Sequence, residues 1–183
     1  MDKLLTVVIP SYNVEKFLNQ TLDSFICDEA VMKKFEVIVV DDGSKDNTAK
    51  IGKEYADKYP DTFRVISKEN GGHGSTINCG IRNAVGKYFK VVDGDDWVNT
   101  ADFVKLVEDL EKTESEYVFT NYYEYYDDVN RQKAVDFPQF KDGTEYDFAD
   151  VANKVYIPMH ALVIKTSVLK DNNIVIDEKC FYV

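Results

Sequence analysis

The sequence predicts an α/β fold in which helices cover both faces of a mainly parallel central sheet. Short apolar runs rich in β-branched residues alternate with stretches whose apolar residues recur at helical spacing. Polar turn residues follow three of these apolar runs. Because each intervening helix returns the chain to the same end of the sheet, successive strands are expected to pair in parallel.

The N-terminal part supplies four predicted strands and four predicted helices. The strands are expected at residues 4–10, 36–40, 63–67 and 87–92. The helices are expected at residues 14–27, from Asp46 or Asn47 to about residue 59, after the 70–74 loop through 85, and from Thr100 or Asp102 to about 113.

The chain changes character after Glu116. Residues 117–126 hold five tyrosines and one phenylalanine and suit a strand or two, whereas residues 127–150 are acidic and rich in turn residues. A further strand at 156–165 and a short helix at 166–170 complete the prediction.

Composition limits the classes of function. The 183 residues suffice for one domain, and no apolar run is long enough to span a bilayer. The net charge of −11 argues against nucleic acid as a partner, because basic residues would be needed to neutralise its phosphates. The N-terminus lacks a signal-peptide pattern, and the three cysteines have no metal-ligand spacing, so a cytoplasmic setting with reduced thiols is expected.

The acidic cluster Asp93-Gly94-Asp95-Asp96 follows the fourth predicted strand. Three carboxylates so close together repel one another unless a cation lies between them, and oxygen ligands suit Mg²⁺ or Mn²⁺. Ligands of open α/β sheets bind beyond the carboxyl ends of the strands. The cluster is therefore predicted to hold a divalent metal and, through it, a diphosphate; a solvated turn before the next helix is the alternative.

Two other segments share this predicted edge of the sheet. Asp41 or Asp42 could accept the N3–H of a uracil ring, or the pair could form an ordinary strand-to-helix turn. The glycine-rich loop that begins at Asn70 contains Gly71 and Gly72, whose backbone N–H groups could approach a phosphate. Lys68 and His73 are the candidate cations beside it, although either could simply be solvated.

Other classes fit the sequence less well. A receiver-like signalling domain needs a phosphorylatable aspartate after a middle strand, where this chain has Ser67-Lys68-Glu69. A nucleotidyltransferase that makes nucleotide-sugars needs a glycine-rich basic loop after the first strand, where this chain has Ser11-Tyr12-Asn13. A non-catalytic nucleotide-sugar-binding domain stays open as an alternative.

Together these motifs resemble the family 2 glycosyltransferases. The resemblance covers residues 4–113 and rests on four segments in the expected order, at 7–13, 39–46, 70–81 and 92–96. It implies the GT-A type of Rossmann-like α/β/α sandwich. Residues 1–183 would form a single domain, with a nucleotide-sugar-binding part at 1–113 and an acceptor-side part at 114–183.

The resemblance implies transfer of a sugar from a nucleoside-diphosphate donor, a UDP-sugar, to a hydroxyl of a glycan or lipid-linked saccharide. It also implies Mn²⁺ or Mg²⁺ as cofactor and allows peripheral association with the inner face of the membrane. Asp95 would be the metal ligand. The implied donor-binding set is Pro10, Ser11, Asn13, Asp41, Asp42, Lys68, Gly71, Gly72, His73, Asn78, Asp93, Gly94 and Asp96.

Two features depart from the family pattern. Ile77 occupies the position where the family often carries an arginine, and the next arginine is Arg82. The stretch Ile176-Asp177-Glu178 resembles the one that shortly precedes the family's catalytic base. We therefore expect a C-terminally truncated catalytic domain whose base lies beyond Val183, with Glu178 as the fallback.

Overall fold

A six-stranded sheet forms the centre of the protein, seen in a computed structural model that describes residues 3–126, 131–152 and 154–180. The strands of the described residues are β1 (Leu5–Ser11), β2 (Phe35–Asp41), β3 (Phe63–Ser67), β4 (Tyr88–Val91), β5 (Tyr117–Phe119), β6 (Tyr122–Tyr126), β7 (Arg131–Val135) and β8 (Leu162–Lys165). The helices are α1 (Leu18–Asp23), α2 (Glu29–Met32), α3 (Thr48–Lys58), α4 (His73–Asn83), α5 (Thr100–Leu110), α6 (Phe148–Val151) and α7 (Thr166–Asp171).

The central sheet has the strand order β3-β2-β1-β4-β8-β5. The pairs β1–β2, β2–β3 and β1–β4 are parallel, whereas β8 runs antiparallel to both β4 and β5. Strands β6 and β7 form a separate antiparallel pair. The predicted mainly parallel α/β sheet is confirmed. The strand order reverses at β1, because β2 and β3 lie on one side of it and β4 lies on the other.

Alternation along the buried strands builds two apolar layers. Every residue of β1 is buried. Leu5, Val7 and Ile9 pack on one face with residues of α1 and α5, while Val8 packs on the other face with residues of α4. Successive side chains of a strand point to opposite faces, so one apolar run supplies both layers of the sandwich.

The boundaries of two predicted elements were wrong. The helix expected at 14–27 begins only at Leu18, because the N–H groups of Val14 and Glu15 donate to the side chains of Thr48 and Asp46 and hold the start of this segment in a turn. The strand expected at 156–165 is only β8; a 3-10 helix at Met159–Ala161 follows Pro158.

The turn-rich segment 127–150 contains β7 and α6, which were not predicted; residues 127–130 lie outside the described part of the chain. Strands β5 and β8 belong to the predicted acceptor-side part, yet they pair within the same sheet as β1 to β4. The functional division at residue 113 stays a prediction.

Candidate functional site

The carboxyl ends of β1, β2 and β4 meet at a cleft of about 590 Å³. Ser11 pairs in register with Asp41, and the N–H of Gly94 donates to the carbonyl of Pro10 at 3.2 Å. The cleft therefore lies where the strand order reverses, which is where open α/β sheets bind ligands. It is lined by Pro10, Ser11, Tyr12, Val14, Asp42, Asn70, Gly72, His73, Thr76, Asp93, Gly94, Asp95, Lys179 and Cys180.

A second cavity, of about 480 Å³, lies at the opposite edge of the sheet beside Lys3, Lys87 and Lys165. Lys87 and Lys165 both pair with Glu114, and the Nζ of Lys3 donates to backbone carbonyls. Its charged groups are satisfied within the protein, so the cleft at the carboxyl ends is the better candidate for a functional site.

The acidic cluster forms a tight turn at one wall of the cleft. The N–H of Asp96 donates to the carbonyl of Asp93 at 3.0 Å, and Oδ1 of Asp93 lies 2.8 Å from Nε2 of His73. Asp95 lines the cleft, is exposed, and makes no side-chain hydrogen bond or ion pair with any residue the structure describes. The turn thus leaves Asp95 available to a ligand while Asp93 is held by His73.

The pKa values of Asp96, in this turn, and of His73, beside it, are both raised. Desolvation, then repulsion from Asp93 and Asp95, raises the pKa of Asp96 to about 6. The hydrogen bond to Asp93 raises the pKa of His73 against the opposing effect of desolvation, and nearby carboxylates raise it further. Neighbouring carboxylates contribute to both shifts, and the negative charge at this wall favours a bound cation.

The acidic wall suits a metal that is shared with a ligand. In the described part of the chain, no three His, Cys, Asp or Glu side chains converge to hold an ion by themselves. Mg²⁺ is commonly held by one or two carboxylates together with phosphate oxygens. Asp95, with Asp93 beside it, fits that donor set.

Asp42 is buried at the base of the cleft and holds the glycine-rich loop. Its Oδ1 accepts the Lys68 ammonium at 2.6 Å and the Gly71 N–H at 3.0 Å, and its Oδ2 accepts the Gly72 N–H at 2.8 Å. The Nζ of Lys68 also donates to the hydroxyl of Ser75 at 2.8 Å. Internal partners therefore occupy the ammonium and the two amides that were expected to face a phosphate, and their contact with one stays a prediction.

Three further predicted site residues, Asp41, Ser11 and Asn13, make hydrogen bonds within the protein near the ends of β1 and β2. Oδ1 of Asp41 accepts the Ser44 N–H at 3.0 Å, and the buried hydroxyl of Ser11 donates to the carbonyl of Ile9. Asn13 has a φ of 55° and accepts the Lys45 N–H through Oδ1 at 2.9 Å. Of these three, only Ser11 lines the cleft.

Asn78 and Glu178 meet away from the acidic wall. Nδ2 of Asn78 donates to Oε1 of Glu178 at 3.1 Å, and among the described residues neither side chain lines the cleft. Trp97, directly after the acidic cluster, is 41% exposed and packs edge-to-face against Tyr125. The role of Glu178 as a fallback base stays a prediction.

The sequence analysis missed several residues that line the cleft. Tyr12 and Asn70 lie inside segments that it had singled out, so their position at a strand end and in the loop was a usable signal. Lys179 and Cys180 reach the cleft from the far end of the sequence. No local sequence pattern predicts that these two residues line the cleft, because only the tertiary fold brings residues 176–180 over α4.

Known proteins with similar sequences identify the family of this chain. Residues 6–172 match the sequence profile of "Glycosyl transferase family 2". The "uncharacterized glycosyltransferase EpsJ" of Bacillus subtilis is 37% identical over 123 residues, which are 67% of this chain and 35% of EpsJ. The "minor teichoic acid biosynthesis protein GgaB" of the same organism is 34% identical over 111 residues, 61% of this chain and 12% of GgaB.

A solved structure shares the fold over almost the whole chain. S. aureus TarS 1-349 in complex with UDP-GlcNAc superposes with a TM-score of 0.76 at 25% identity, covering 96% of this chain and 49% of TarS. The chain thus spans about a third of EpsJ and half of that TarS chain. Within the described residues, no helix combines the length and apolarity needed to cross a membrane.

Proposed function

The chain belongs to glycosyl transferase family 2, and we propose that it binds a nucleoside-diphosphate sugar in the cleft and supports transfer of the sugar to a hydroxyl group. The donor is a UDP-sugar, and the acceptor is a glycan or lipid-linked saccharide on the cytoplasmic side of the membrane. The observation that carries the proposal is the acidic turn at Asp93–Asp96, which borders a cleft where the strand order reverses.

The base of the nucleotide lies against Pro10 and Ser11 in this proposal, with Asp42 as the carboxylate that reads the uracil N3–H. A carboxylate has about four acceptor sites. Asp42 uses three of them for Lys68 and the loop amides. One site therefore remains for a donor from the base, and Asp42 lines the cleft whereas Asp41 does not.

The diphosphate lies at the acidic wall with a divalent cation. Asp95 would hold Mn²⁺ or Mg²⁺, and such an ion would supply the positive charge that stabilises a departing diphosphate. Asp93 contacts the ribose or the sugar, and its hydrogen bond to His73 fixes the carboxylate for that contact. Asp96 supports the turn through its N–H.

Two family relationships support the substrate class. TarS, at 25% identity, was solved with UDP-GlcNAc, which favours uridine as the base. GgaB is named for teichoic acid biosynthesis, which favours a polymer acceptor.

A second candidate function follows from the carboxylates of the cleft. The described carboxylates that line it are Asp42, Asp93 and Asp95, and all three have roles other than that of the catalytic base in this proposal. Donor binding by a domain that is not itself catalytic is therefore the second candidate.

Isothermal titration calorimetry tests the central claim. We expect UDP to bind the 183-residue chain more tightly with Mn²⁺ than without it, and Asp95→Ala to abolish that difference. Asp57→Ala is the matched control, because Asp57 is an exposed carboxylate on α3 whose ion pair is with Lys53. Titrations with GDP test the choice of base.

If UDP and GDP both fail to bind in the presence of Mn²⁺, the proposed function is wrong. If the metal-dependent gain survives in Asp95→Ala, the metal ligand is misassigned. Transfer from a UDP-sugar to a glycan acceptor separates the two candidate functions, because a non-catalytic domain binds UDP and transfers nothing.

A further inference from the structure

Residues 176–180, here called the strap, cross the N-terminal half of α4. The amide of Asn78 pairs with the backbone of Ile176 in both directions: Nδ2 donates to the Ile176 carbonyl at 2.8 Å and Oδ1 accepts the Ile176 N–H at 2.9 Å. The same Nδ2 lies 3.1 Å from Oε1 of Glu178. Asn78 is 3% exposed, so these contacts are shielded from water and fix the position of the strap.

Two glycines of the loop and helix make room for the strap. A Cβ on Gly74 would lie 2.1 Å from the carbonyl oxygen of Asp177, and a Cβ on Gly72 would lie 3.1 Å from the backbone nitrogen of Lys179. Gly72 also has a φ of 85°, which side chains rarely adopt. The glycines at these positions therefore admit the strap backbone.

The strap delivers Lys179 to the cleft. Lys179 lines the cleft with a φ of 58°, is exposed, and forms no side-chain ion pair or hydrogen bond with any described residue. The other two candidate cations already have carboxylate partners, since Lys68 is bound to Asp42 and His73 to Asp93. Of the lysines and arginines that the structure describes, Lys179 alone lines this cleft.

The geometry points to Lys179 as the residue that binds the donor's diphosphate, held in place by Asn78 acting as a positioning residue. This inference rests on the proposed function. An anionic diphosphate beside Asp42, Asp93 and Asp95 needs positive charge in addition to one metal ion, and a free ammonium at the cleft supplies it. Asn78 does not touch the donor; it fixes the backbone from which Lys179 projects.

The test compares UDP with uridine, which lacks the phosphates, by calorimetry in the presence of Mn²⁺. Lys179→Ala is expected to weaken UDP binding about ten-fold or more, the effect of removing one hydrogen bond between charged groups, and to leave uridine binding unchanged. Lys50→Ala is the matched control, because it removes an exposed lysine on α3, and both affinities should equal those of the wild type.

Asn78→Ala tests the positioning role. It is expected to weaken UDP binding while uridine binding is unchanged, and to add little when combined with Lys179→Ala, because both substitutions remove the same contact. If Asn78 had a purely structural role, Asn78→Ala would weaken the binding of both UDP and uridine. Its effect on UDP binding would then add fully to that of Lys179→Ala.

The outcomes separate this inference from the proposed function. Wild-type UDP affinity in Lys179→Ala overturns the inference and leaves the proposed function standing, as does an equal loss of UDP and uridine affinity. Failure of the wild-type chain to bind either UDP or GDP in the presence of Mn²⁺ overturns both.

Discussion

Replacing Gly80 with alanine tests how closely α4 packs on the central sheet. A Cβ at Gly80 would lie 2.4 Å and 2.6 Å from the two methyl groups of Val8 and 3.0 Å from its Cβ. Non-bonded carbons normally approach to about 3.5–4.0 Å, so the new methyl is roughly 1 Å too close. Rotating χ1 of Val8 does not remove the contact, because both of its methyl groups face the helix and a β-branched side chain has few alternative rotamers.

The size of the effect follows from two opposing terms. Overpacking a buried contact costs about 1–3 kcal/mol, and this site belongs at the upper end because Val8 is fully buried beside Ile77 and Ile81. Alanine in place of a helical glycine recovers about 1 kcal/mol. We expect the free energy of unfolding to fall by about 2 kcal/mol, which corresponds to a decrease in Tm of about 4–8 °C for a domain of this size.

Urea and thermal unfolding measure the change, and Gly74→Ala on the same helix is the comparison. There the obstacle is the carbonyl oxygen of Asp177 in the strap. The strap contributes no strand to the sheet, so we expect Gly74→Ala to keep Tm close to the wild-type value while residues 176–180 become sensitive to proteases. The double variant Gly80→Ala/Val8→Ala should be more stable than the sum of the single effects predicts.

Unchanged or raised stability in Gly80→Ala would refute the argument, because it would mean that α4 can move away from β1 at little cost. A Tm loss in Gly74→Ala as large as in Gly80→Ala would show instead that the strap is part of the cooperative core.

Two further predictions concern buried charges remote from the cleft. Glu36→Ala should lower the free energy of unfolding in urea by about 1–3 kcal/mol. The buried carboxylate accepts the Thr6 hydroxyl, which would be left unsatisfied, and it pairs with Arg64, whose side chain is partly exposed. An unchanged free energy of unfolding would contradict this prediction. Burial lowers the pKa of Lys90 from 10.5 to about 8, so the unfolded chain binds the proton more tightly. The resulting destabilisation of the fold grows as pH falls between these two pKa values and is complete below pH 8. The stability advantage of Lys90→Met should therefore shrink by about 1–3 kcal/mol between pH 8 and pH 10, and an advantage independent of pH would contradict the buried-charge argument.

The sequence predicted the part of the fold that local patterns encode. β1 and β2 are apolar runs buried along their whole length, and such runs occur where both faces of a parallel sheet are covered. The short elements of the acceptor-side part were less predictable. β8 enters the central sheet between β4 and β5 only through long-range pairing, and its four residues carry no pattern that distinguishes it from the 3-10 helix before it.

The candidate site shows the same division. The acidic turn after β4 and Asp42 after β2 could be placed at the cleft from the sequence because they follow buried strands directly. The hydrogen-bond partners of the site residues could not be predicted from the sequence. Nothing near Lys68 in the sequence indicates that its ammonium is bound by Asp42, 26 residues away, or that Asn78 pairs with Ile176, 98 residues away.

This division changes how the glycine-rich segment is interpreted. The sequence analysis assigned its glycines to phosphate contact, yet the amides of Gly71 and Gly72 donate to Asp42, and Gly74 makes room for the carbonyl of Asp177. The segment thus joins the carboxylate below the cleft to the strap above it. Because Asp42 neutralises Lys68 within the wall, the positive charge for a diphosphate has to come from elsewhere. The strap is the part of the described structure that brings a lysine to the cleft with its ammonium unpaired.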